Sequence, residues 1–248
     1  MPISDALRLA LQNAGQSHLA EVADSLDGLT CDRFVGQLES LDLDKMNGLV
    51  KTYVKSTPTF EIPANTRPAS YYPADSTSSR RAYEPSGFRR TGERLLGEGK
   101  VACFTVAGGQ GSRLGYDGPK GCYPAGAISR KPLFQFFAEG ILATQRKFGG
   151  TVPWLIMTSP QNHEQTVAFF KEHKHFGLNP EDVMFFPQGT MPSFDMESGQ
   201  VLLAGPSELT ASPDGHGGSL RALYTSGSLD RLKEKGVEHI SYFQVDNP

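Results

Sequence analysis

The sequence predicts an α/β fold with a mostly parallel sheet, preceded by a small helical subdomain. From about residue 100 onward, compact apolar runs alternate with amphipathic stretches, which is the pattern of strands alternating with helices. Before that point, apolar residues recur at the three- and four-residue spacings of helices. A parallel sheet covered by helices binds ligands at the carboxyl ends of its strands. A glycine-rich stretch directly after the first apolar run therefore marks the predicted site.

Two segments precede the α/β region. Residues 1–55 are predicted to form a helical N-terminal subdomain, because apolar residues from Leu7 to Leu41 keep a helical spacing. Residues 56–91 are predicted to form a proline-rich connector. We expect the arginines of this connector to lie in a solvated charged loop rather than to contact a phosphate. They are Arg80, Arg81, Arg89 and Arg90.

Residues 92–248 make up the predicted α/β domain, which opens with a short helix near residues 92–97. Strands are predicted in "KVACFTVA", "VPWLIMTS", "DVMFFPQ" and "HISYFQVD". Helices are predicted in "PLFQFFAEGILATQRKF", in "NHEQTVAFFKEHKHFG" up to Gly177, and once or twice in "GGSLRALYTSGSLDRLKEKG". "SFDMESGQVLLA" predicts a hairpin that turns at Ser198 and Gly199. Because the sequence stops at "QVDNP", immediately after a strand and without the loop and covering helix that should follow, we expect the chain to be the first, C-terminally truncated part of a longer protein.

Composition excludes several classes of protein. The 248 residues carry a net charge of −3 and a pI near 6.1, so no basic field for general nucleic-acid binding exists. No apolar run approaches the roughly 18 residues of a membrane span, and no secretory signal precedes the helices. A cytoplasmic protein is expected. Three cysteines without CxxC spacing predict reduced thiols, with Cys122 as a small buried residue.

The stretch "AGGQGSRLGYDGPKG" places six glycines in fifteen residues between a strand and a helix. Glycine lets another group approach the main chain, so this order is typical of an anion or nucleotide site made by backbone amides. The spacing fits neither a P-loop, because Gly121 follows Lys120, nor a dinucleotide fingerprint, because Leu114 replaces the third glycine. Arg113 and Lys120 add two cations, which suit a triphosphate.

The same stretch resembles the signature loop of the eukaryotic-type UDP-sugar pyrophosphorylase family, and within it the pyrophosphorylases of UDP-N-acetylglucosamine. The resemblance continues in order through "IMTS", "NHEQTVAFF", "FFPQGTMPSF", "SPDGHGGSLRAL" and "FQVDN". It covers residues 92–248 well and the helical N-terminus more loosely. The resemblance implies a Rossmann-like nucleotidyltransferase domain that binds UTP and joins it to a sugar 1-phosphate, giving UDP-sugar and pyrophosphate with Mg2+.

The resemblance also implies roles for individual residues of the first loop. Arg113 and Lys120 would hold the β- and γ-phosphates and the charge that develops on the leaving pyrophosphate. The backbone of residues 107–109, which are Ala107, Gly108 and Gly109, would pack against uracil and ribose. Gln188 offers an amide donor and a carbonyl acceptor, which match the edge of uracil. An ordinary amide at a strand end is an equally frequent role for such a glutamine.

The later motifs supply the remaining candidates. In "DGHGG", Gly215, His216 and Gly217 would bind the other side of the nucleoside or the sugar, although His216 replaces the asparagine usual in the family. Asp246 would bind Mg2+ beside the α-phosphate; a cap or turn residue is the alternative. Asn247 would contact the sugar. His173 and His175 lie two apart on a predicted helix, so no metal pair is expected there.

Three functions stay open on the sequence. The first is a uridylyltransferase acting on N-acetylglucosamine 1-phosphate or glucose 1-phosphate. The second is a catalytically incomplete fragment that binds UTP or UDP-sugar, in which case we expect the chain to bind UTP yet turn over poorly. The third, another α/β nucleotide enzyme such as a kinase or dehydrogenase, is disfavoured by the loop spacing. The sequence does not determine the sugar or the oligomeric state.

Overall fold

The computed structural model describes residues 3–57, 59, 61–73 and 84–247. The chain divides into two compact units. The first unit comprises Met1–Tyr71 and Thr190–Ser212, and the second comprises Tyr72–Gly189 and Pro213–Pro248. These units do not coincide with the three predicted segments, because residues 190–212 group with the N-terminal helices rather than with the α/β sheet.

The first unit begins with helices, as the apolar spacing predicts. Ser4 caps the first helix, since its Oγ accepts from the Leu7 amide at 3.2 Å, and Asp42 caps the fourth in the same way. Fully buried Leu11, Leu19 and Phe34 form the centre of the helical core. The helices are α1 Asp5–Asn13, α2 Ser17–Ser25, α3 Gly28–Glu39 and α4 Leu43–Leu49, followed by a π-helical turn, Val50–Val54.

Residues 190–212 add short strands to the first unit. The hairpin predicted at Ser198 and Gly199 is present: an antiparallel bridge joins Phe194 to Val201, and the Asp195 carboxylate accepts from the Ser198 amide. Buried Val201 belongs to the helical core. The strands are β4 Thr190–Pro192, β5 Leu203–Gly205, β6 Glu208–Leu209 and β7 Ala211–Pro213; β4 pairs with β7, and β5 with β6.

The second unit contains a four-stranded parallel sheet, which confirms the predicted fold class. Its strands are β1 Val101–Val106, β2 Trp154–Thr158, β3 Val183–Pro187 and β8 His239–Gln244. Their order is β3-β2-β1-β8, with Phe104 of β1 opposite Leu155 of β2 and Tyr242 of β8. The chain therefore changes direction across the sheet at β1, and the crevice outside the carboxyl ends of β1 and β8 is the expected ligand position.

Helices cover both faces of this sheet, because successive strand residues point to opposite sides. On one face, Phe134 of the sixth helix and Phe170 of the seventh pack on Trp154. On the other face, Leu232 of the ninth helix packs in a core that includes Phe104. The helices are α5 Pro85–Gly97, α6 Leu133–Phe148, α7 His163–Glu172, α8 Gly215–Thr225 and α9 Ser228–Glu234.

The helix predicted near residues 92–97 is α5, which begins earlier, at Pro85, because a proline in the first turn already has a helical φ angle. Arg89 and Arg90 are exposed on this helix rather than in a loop. Arg80 and Arg81 lie outside the described residues.

Helix α7 ends before Gly177, contrary to the prediction. Lys174, His175 and Phe176 all have positive φ angles, between 50° and 53°. Phe176 packs on Phe170 and stacks on His173, with ring centroids 5.2 Å apart in each pair. This aromatic packing accompanies the left-handed turn that ends the helix, and a periodicity of apolar residues does not reveal it.

The three cysteines are free thiols. Burial raises the pKa of Cys122 to about 12 and that of Cys103 to about 11, so neither forms a thiolate readily. Across the described part of the chain, no helix combines the length and apolar character that crossing a membrane requires.

Candidate functional site

An open cleft of about 180 Å³ lies in the second unit at the carboxyl edge of the sheet. The segments that follow β1 and β8 run side by side and form part of the cleft wall. The Val245 amide there donates to the Val106 carbonyl at 3.0 Å. Six of the predicted site residues line the cleft: Gly108, Gly109, Lys120, Gln188, His216 and Asp246. Residues that are up to 138 positions apart therefore meet at one place, as the parallel arrangement predicts.

The glycine-rich loop leaves β1 and folds back on itself. The Gly111 amide donates to the Gly118 carbonyl at 2.8 Å, and the Lys120 amide donates to the Gly109 carbonyl at 3.0 Å. Gly118 has a φ angle of 147°, in the region that favours glycine. The loop is thus a short irregular hairpin that brings Lys120 back beside its own beginning.

Gly121 shows why the loop ends in a glycine. A Cβ atom at this position would overlap the buried ring of Phe134. The turn that carries Lys120 can therefore press directly on the aromatic core below. This packing holds the base of the lysine side chain, while its ammonium group stays at the cleft.

Lys120 and Asp246 form an ion pair across the cleft, with Nζ and Oδ2 2.7 Å apart. The hydrogen bond from Lys120 lowers the pKa of Asp246 below its usual value, so the carboxylate is ionised at neutral pH. The lysine side chain is 20% exposed and the aspartate 50% exposed. The pair therefore offers both a cation and a carboxylate to a ligand that enters the cleft.

Gln188 directly follows β3, and its main-chain N–H donates to the Thr158 carbonyl at 2.7 Å. Its side chain lies flat against Gly108, because a Cβ atom there would come within 2.9 Å of Gln188 Oε1. A side chain at position 108 would displace the Gln188 amide from this contact. The structure thus places the side-chain amide of Gln188 beside the bare backbone of the loop.

The second glycine-rich turn begins α8. Gly215, at the start of the helix, has a φ angle of 78°. The Asp214 carboxylate occupies the space that side chains at Gly189 and Gly218 would need. Within the described residues, the buried Oδ1 of Asp214 has no hydrogen-bond partner. These glycines therefore make room for the Asp214 carboxylate beside the cleft.

His216 forms hydrogen bonds with two side chains of β8. Its Nδ1 lies 2.6 Å from the Tyr242 hydroxyl, and its Nε2 lies 3.1 Å from Gln244 Nε2. These two contacts hold the imidazole ring of His216 against β8 at the cleft wall.

The remaining predicted residues lie around the cleft rather than in its wall. Arg113 is exposed on the short 3₁₀ turn Ser112–Leu114, and Ala107 is fully buried under the loop. Gly217 is exposed in the first turn of α8, and Asn247 is exposed in the turn after β8. Their predicted roles, like those of the cleft residues, stay predictions.

Sequence reasoning missed Asn162, Tyr242 and Gln244. Asn162 is fully buried and binds two carbonyl groups of the glycine loop. Its position just after the carboxyl end of β2 was a signal, because polar residues at such ends of parallel strands gather at one edge of the sheet. The contacts of Tyr242 and Gln244 with His216 left no signal in the sequence.

The predicted role of Asp246 as a ligand of Mg2+ stays a prediction. Among the residues that the structure describes, no three His, Cys, Asp or Glu side chains are placed to hold an ion together. Of the two histidines for which no metal pair is expected, His173 has its Nδ1 2.8 Å from the Phe169 carbonyl oxygen.

Comparison with known proteins identifies the family. Residues 74–248 match the family model described as UTP–glucose-1-phosphate uridylyltransferase. The chain is similar to UDP-N-acetylglucosamine diphosphorylase 2 of Arabidopsis thaliana, at 34% identity over 98% of this chain and 50% of the relative. It is equally similar, at 34% identity, to UDP-N-acetylglucosamine pyrophosphorylase of Saccharomyces cerevisiae, over 99% of this chain and 53% of the relative.

Among solved structures, the chain is similar to the uridine diphosphate N-acetylglucosamine pyrophosphorylase of Trypanosoma brucei in complex with inhibitor. The TM-score is 0.73 at 25% identity, over 98% of this chain and 51% of that one. The chain thus spans about half the length of the relatives that it matches. The matched family model, the sequence identities and the shared fold together show that this chain belongs to the UTP–glucose-1-phosphate uridylyltransferase family.

Proposed function

We propose that this chain binds UTP as part of a uridylyltransferase that produces UDP-sugar and pyrophosphate from UTP and a sugar 1-phosphate. The observation that carries the proposal is the cleft itself, where Lys120, Asp246, Gln188 and the bare backbone of Gly108 and Gly109 converge. An oxygen of the sugar phosphate would attack the α-phosphorus of UTP, and the bond from that phosphorus to the β-phosphate oxygen would break. Both reacting oxygens belong to phosphates, so no protein nucleophile is needed.

The uracil would lie against the glycine loop. Gln188 Oε1 and Nε2 lie beside Gly108, so one side chain can accept from the uracil N–H and donate to a uracil carbonyl. Adenine presents a different order of donors and acceptors. A preference for UTP over ATP is therefore expected to depend on Gln188.

Lys120 would neutralise the phosphates. Its ammonium group lies at the cleft beside Gly109, where a developing negative charge on pyrophosphate could be stabilised in a partly water-excluded place. Arg113 is exposed on the same loop and would need to turn toward the triphosphate to share this role.

The donor set of the cleft fits a Mg2+ ion bound together with nucleotide. Mg2+ in such sites is held by one or two carboxylates and by phosphate oxygens of the substrate, and Asp246 supplies one ionised carboxylate. When bound, the ion would neutralise phosphate charge. Lys120 contacts Oδ2 of Asp246, so the second carboxylate oxygen would be available to such an ion.

The names of the relatives favour N-acetylglucosamine 1-phosphate over glucose 1-phosphate as the second substrate. Gly215, His216, Gly217 and Asn247 are the candidates for contacts with the sugar or nucleoside. A UTP-binding chain without turnover is the second candidate, and the exposed position of Arg113 away from the cleft wall favours it.

Calorimetry with UTP and Mg2+ tests the proposal on this chain. We expect UTP to bind, ATP to bind at least about tenfold more weakly, and Lys120→Met to weaken UTP binding by about tenfold or more, since a charge-assisted hydrogen bond is lost. Lys147→Met, at an exposed lysine of α6, is the matched control and should bind as the unchanged chain does. Binding of adenine dinucleotides but not of UTP would contradict the proposal.

A pyrophosphate-release assay then separates the two candidates. Turnover with UTP and one of the two sugar 1-phosphates supports the uridylyltransferase and identifies the sugar. Binding of UTP without pyrophosphate release from either sugar phosphate supports the second candidate.

A further inference from the structure

Asn162 holds the glycine loop from below. The side chain is fully buried, and its Nδ2 donates to the carbonyl oxygens of Ala107 at 3.2 Å and Gly109 at 3.3 Å. Its Oδ1 accepts from the Ser159 amide at 2.8 Å. One amide group therefore joins the end of β2 to alternate carbonyls of the loop.

These contacts also orient the amide groups of the loop. A trans peptide is planar, and its N–H points opposite to its C=O. Because Asn162 binds the carbonyls of Ala107 and Gly109, the N–H groups of Gly108 and Gln110 point away from Asn162. Among the described residues, neither amide donates to a protein acceptor, whereas the neighbouring Gly111 amide donates to Gly118.

We propose that Asn162 is a positioning residue that presents the Gly108 and Gln110 amides to acceptor oxygens of the nucleotide. This inference rests on the proposed function, because it takes UTP as the ligand of the cleft. Gly108 lines that cleft, so an amide turned away from Asn162 has a ligand space beside it. Asn162 itself lies under the loop and touches no substrate.

Asparagine suits this role because its Nδ2 carries two donors and its Oδ1 is an acceptor. Aspartate has the same shape but no donor, and it would place an acceptor against two carbonyl groups. The Ala107–Gly108 peptide would then lose the Asn162 hydrogen bond that fixes its plane, while the Gly109–Gln110 peptide would keep only the one from the Lys120 amide.

Gln16 provides a matched control in the other unit. It is also buried, its Nε2 donates to two carbonyl oxygens, those of Ala14 and Gly199, and its Oε1 accepts from the Val201 amide. Gln16→Glu removes the same kind of donor from the same kind of environment, but it does so away from the glycine loop.

The experiment compares Asn162→Asp, Asn162→Ser and Gln16→Glu by calorimetry with UTP and by thermal unfolding. We expect Asn162→Asp to weaken UTP binding about tenfold or more, as loss of hydrogen bonds to a charged ligand would. Asn162→Ser, which keeps one donor, should recover part of that loss. Gln16→Glu should lower the unfolding temperature and leave the UTP affinity unchanged.

Amide NMR signals of the unchanged chain give a second measurement that needs no variant. Saturation with UTP should shift the Gly108 and Gln110 signals more than that of Gly111, which is already hydrogen-bonded. If UTP binds and Asn162→Asp binds it equally well, or if the Gly108 and Gln110 signals do not move, the positioning role is refuted. If the unchanged chain does not bind UTP at all, the proposed function itself fails instead.

Discussion

The two units satisfy their buried backbone groups in different ways. In the second unit, four parallel strands of five or six residues pair along their length, so the backbone itself supplies the hydrogen bonds. In the first unit, the strands are two or three residues long. There, Gln16 bonds the backbone of Gly199 and Val201, and Gln37 bonds that of Ser207 and Leu209. Glutamine side chains thus supply hydrogen bonds to the main chain that a neighbouring strand would otherwise supply.

This difference explains where the chemistry lies. Because the sheet of the second unit is complete without polar side chains, Lys120, Gln188 and His216 are available at its carboxyl edge. In the first unit, the buried polar side chains are used for structure. In the second unit, Asn162 does for the glycine loop what Gln16 does for its hairpin.

The largest effect should come from the aromatic core of the second unit. Phe134→Ala removes a fully buried ring that packs on Phe170 and under Gly121, and we expect the free energy of unfolding to fall by about 3–5 kcal/mol. Urea unfolding followed by the fluorescence of Trp154, the sole tryptophan, reports on this unit. Phe136→Ala, on the same helix but 43% exposed, is the control. Equal losses in both variants would contradict the assignment of this core.

A smaller effect is expected from the glutamines of the first unit. Gln16→Met keeps the size of the side chain but leaves a buried carbonyl and a buried amide unpaired, which should cost about 2–3 kcal/mol. Gln37→Met should cost less, because Gln37 is only partly buried. Far-UV circular dichroism during urea unfolding measures both. Exposed Gln12→Met serves as control, and a cost for Gln16→Met no greater than for Gln12→Met would show that the backbone contacts are unimportant.

The smallest effect concerns the ion pairs of the two units. A hydrogen bond from Lys120 lowers the pKa of Asp246, and one from Arg8 lowers the pKa of Asp24. Since these pKa values are depressed in the folded chain, the stability from each pair is present above the ordinary aspartate pKa of about 3.9 and is lost as the pH falls through the folded value. Half-exposed Asp246 should contribute less than about 1 kcal/mol.

Carboxyl NMR titration measures both aspartates in one sample. Lys120→Met should move the Asp246 midpoint upward and leave that of Asp24 in place, and Arg8→Met should do the reverse. An Asp246 midpoint that does not respond to Lys120→Met would show that the pair is not formed in solution.

Much of the second unit could be predicted from the sequence, because each strand and helix there follows from a local pattern. The apolar run before the glycine loop is β1, and the proline and glycine around residues 132–149 delimit α6. The left-handed turn after α7 could not be predicted in this way, since it coincides with contacts between aromatic rings. The grouping of residues 190–212 with the N-terminal helices could not be predicted either. It involves contacts with glutamines more than 150 positions away.

The amino-acid sequence alone determined the α/β class, the family resemblance and the loop that carries Lys120, because spacing, glycine content and apolar periodicity act over a few neighbouring residues. Only the tertiary structure decided that Lys120 pairs with Asp246, that Gln188 lies on Gly108, and that Asn162 supports the loop. These contacts arise from the order of strands in the sheet, and strand order joins residues that no local pattern connects.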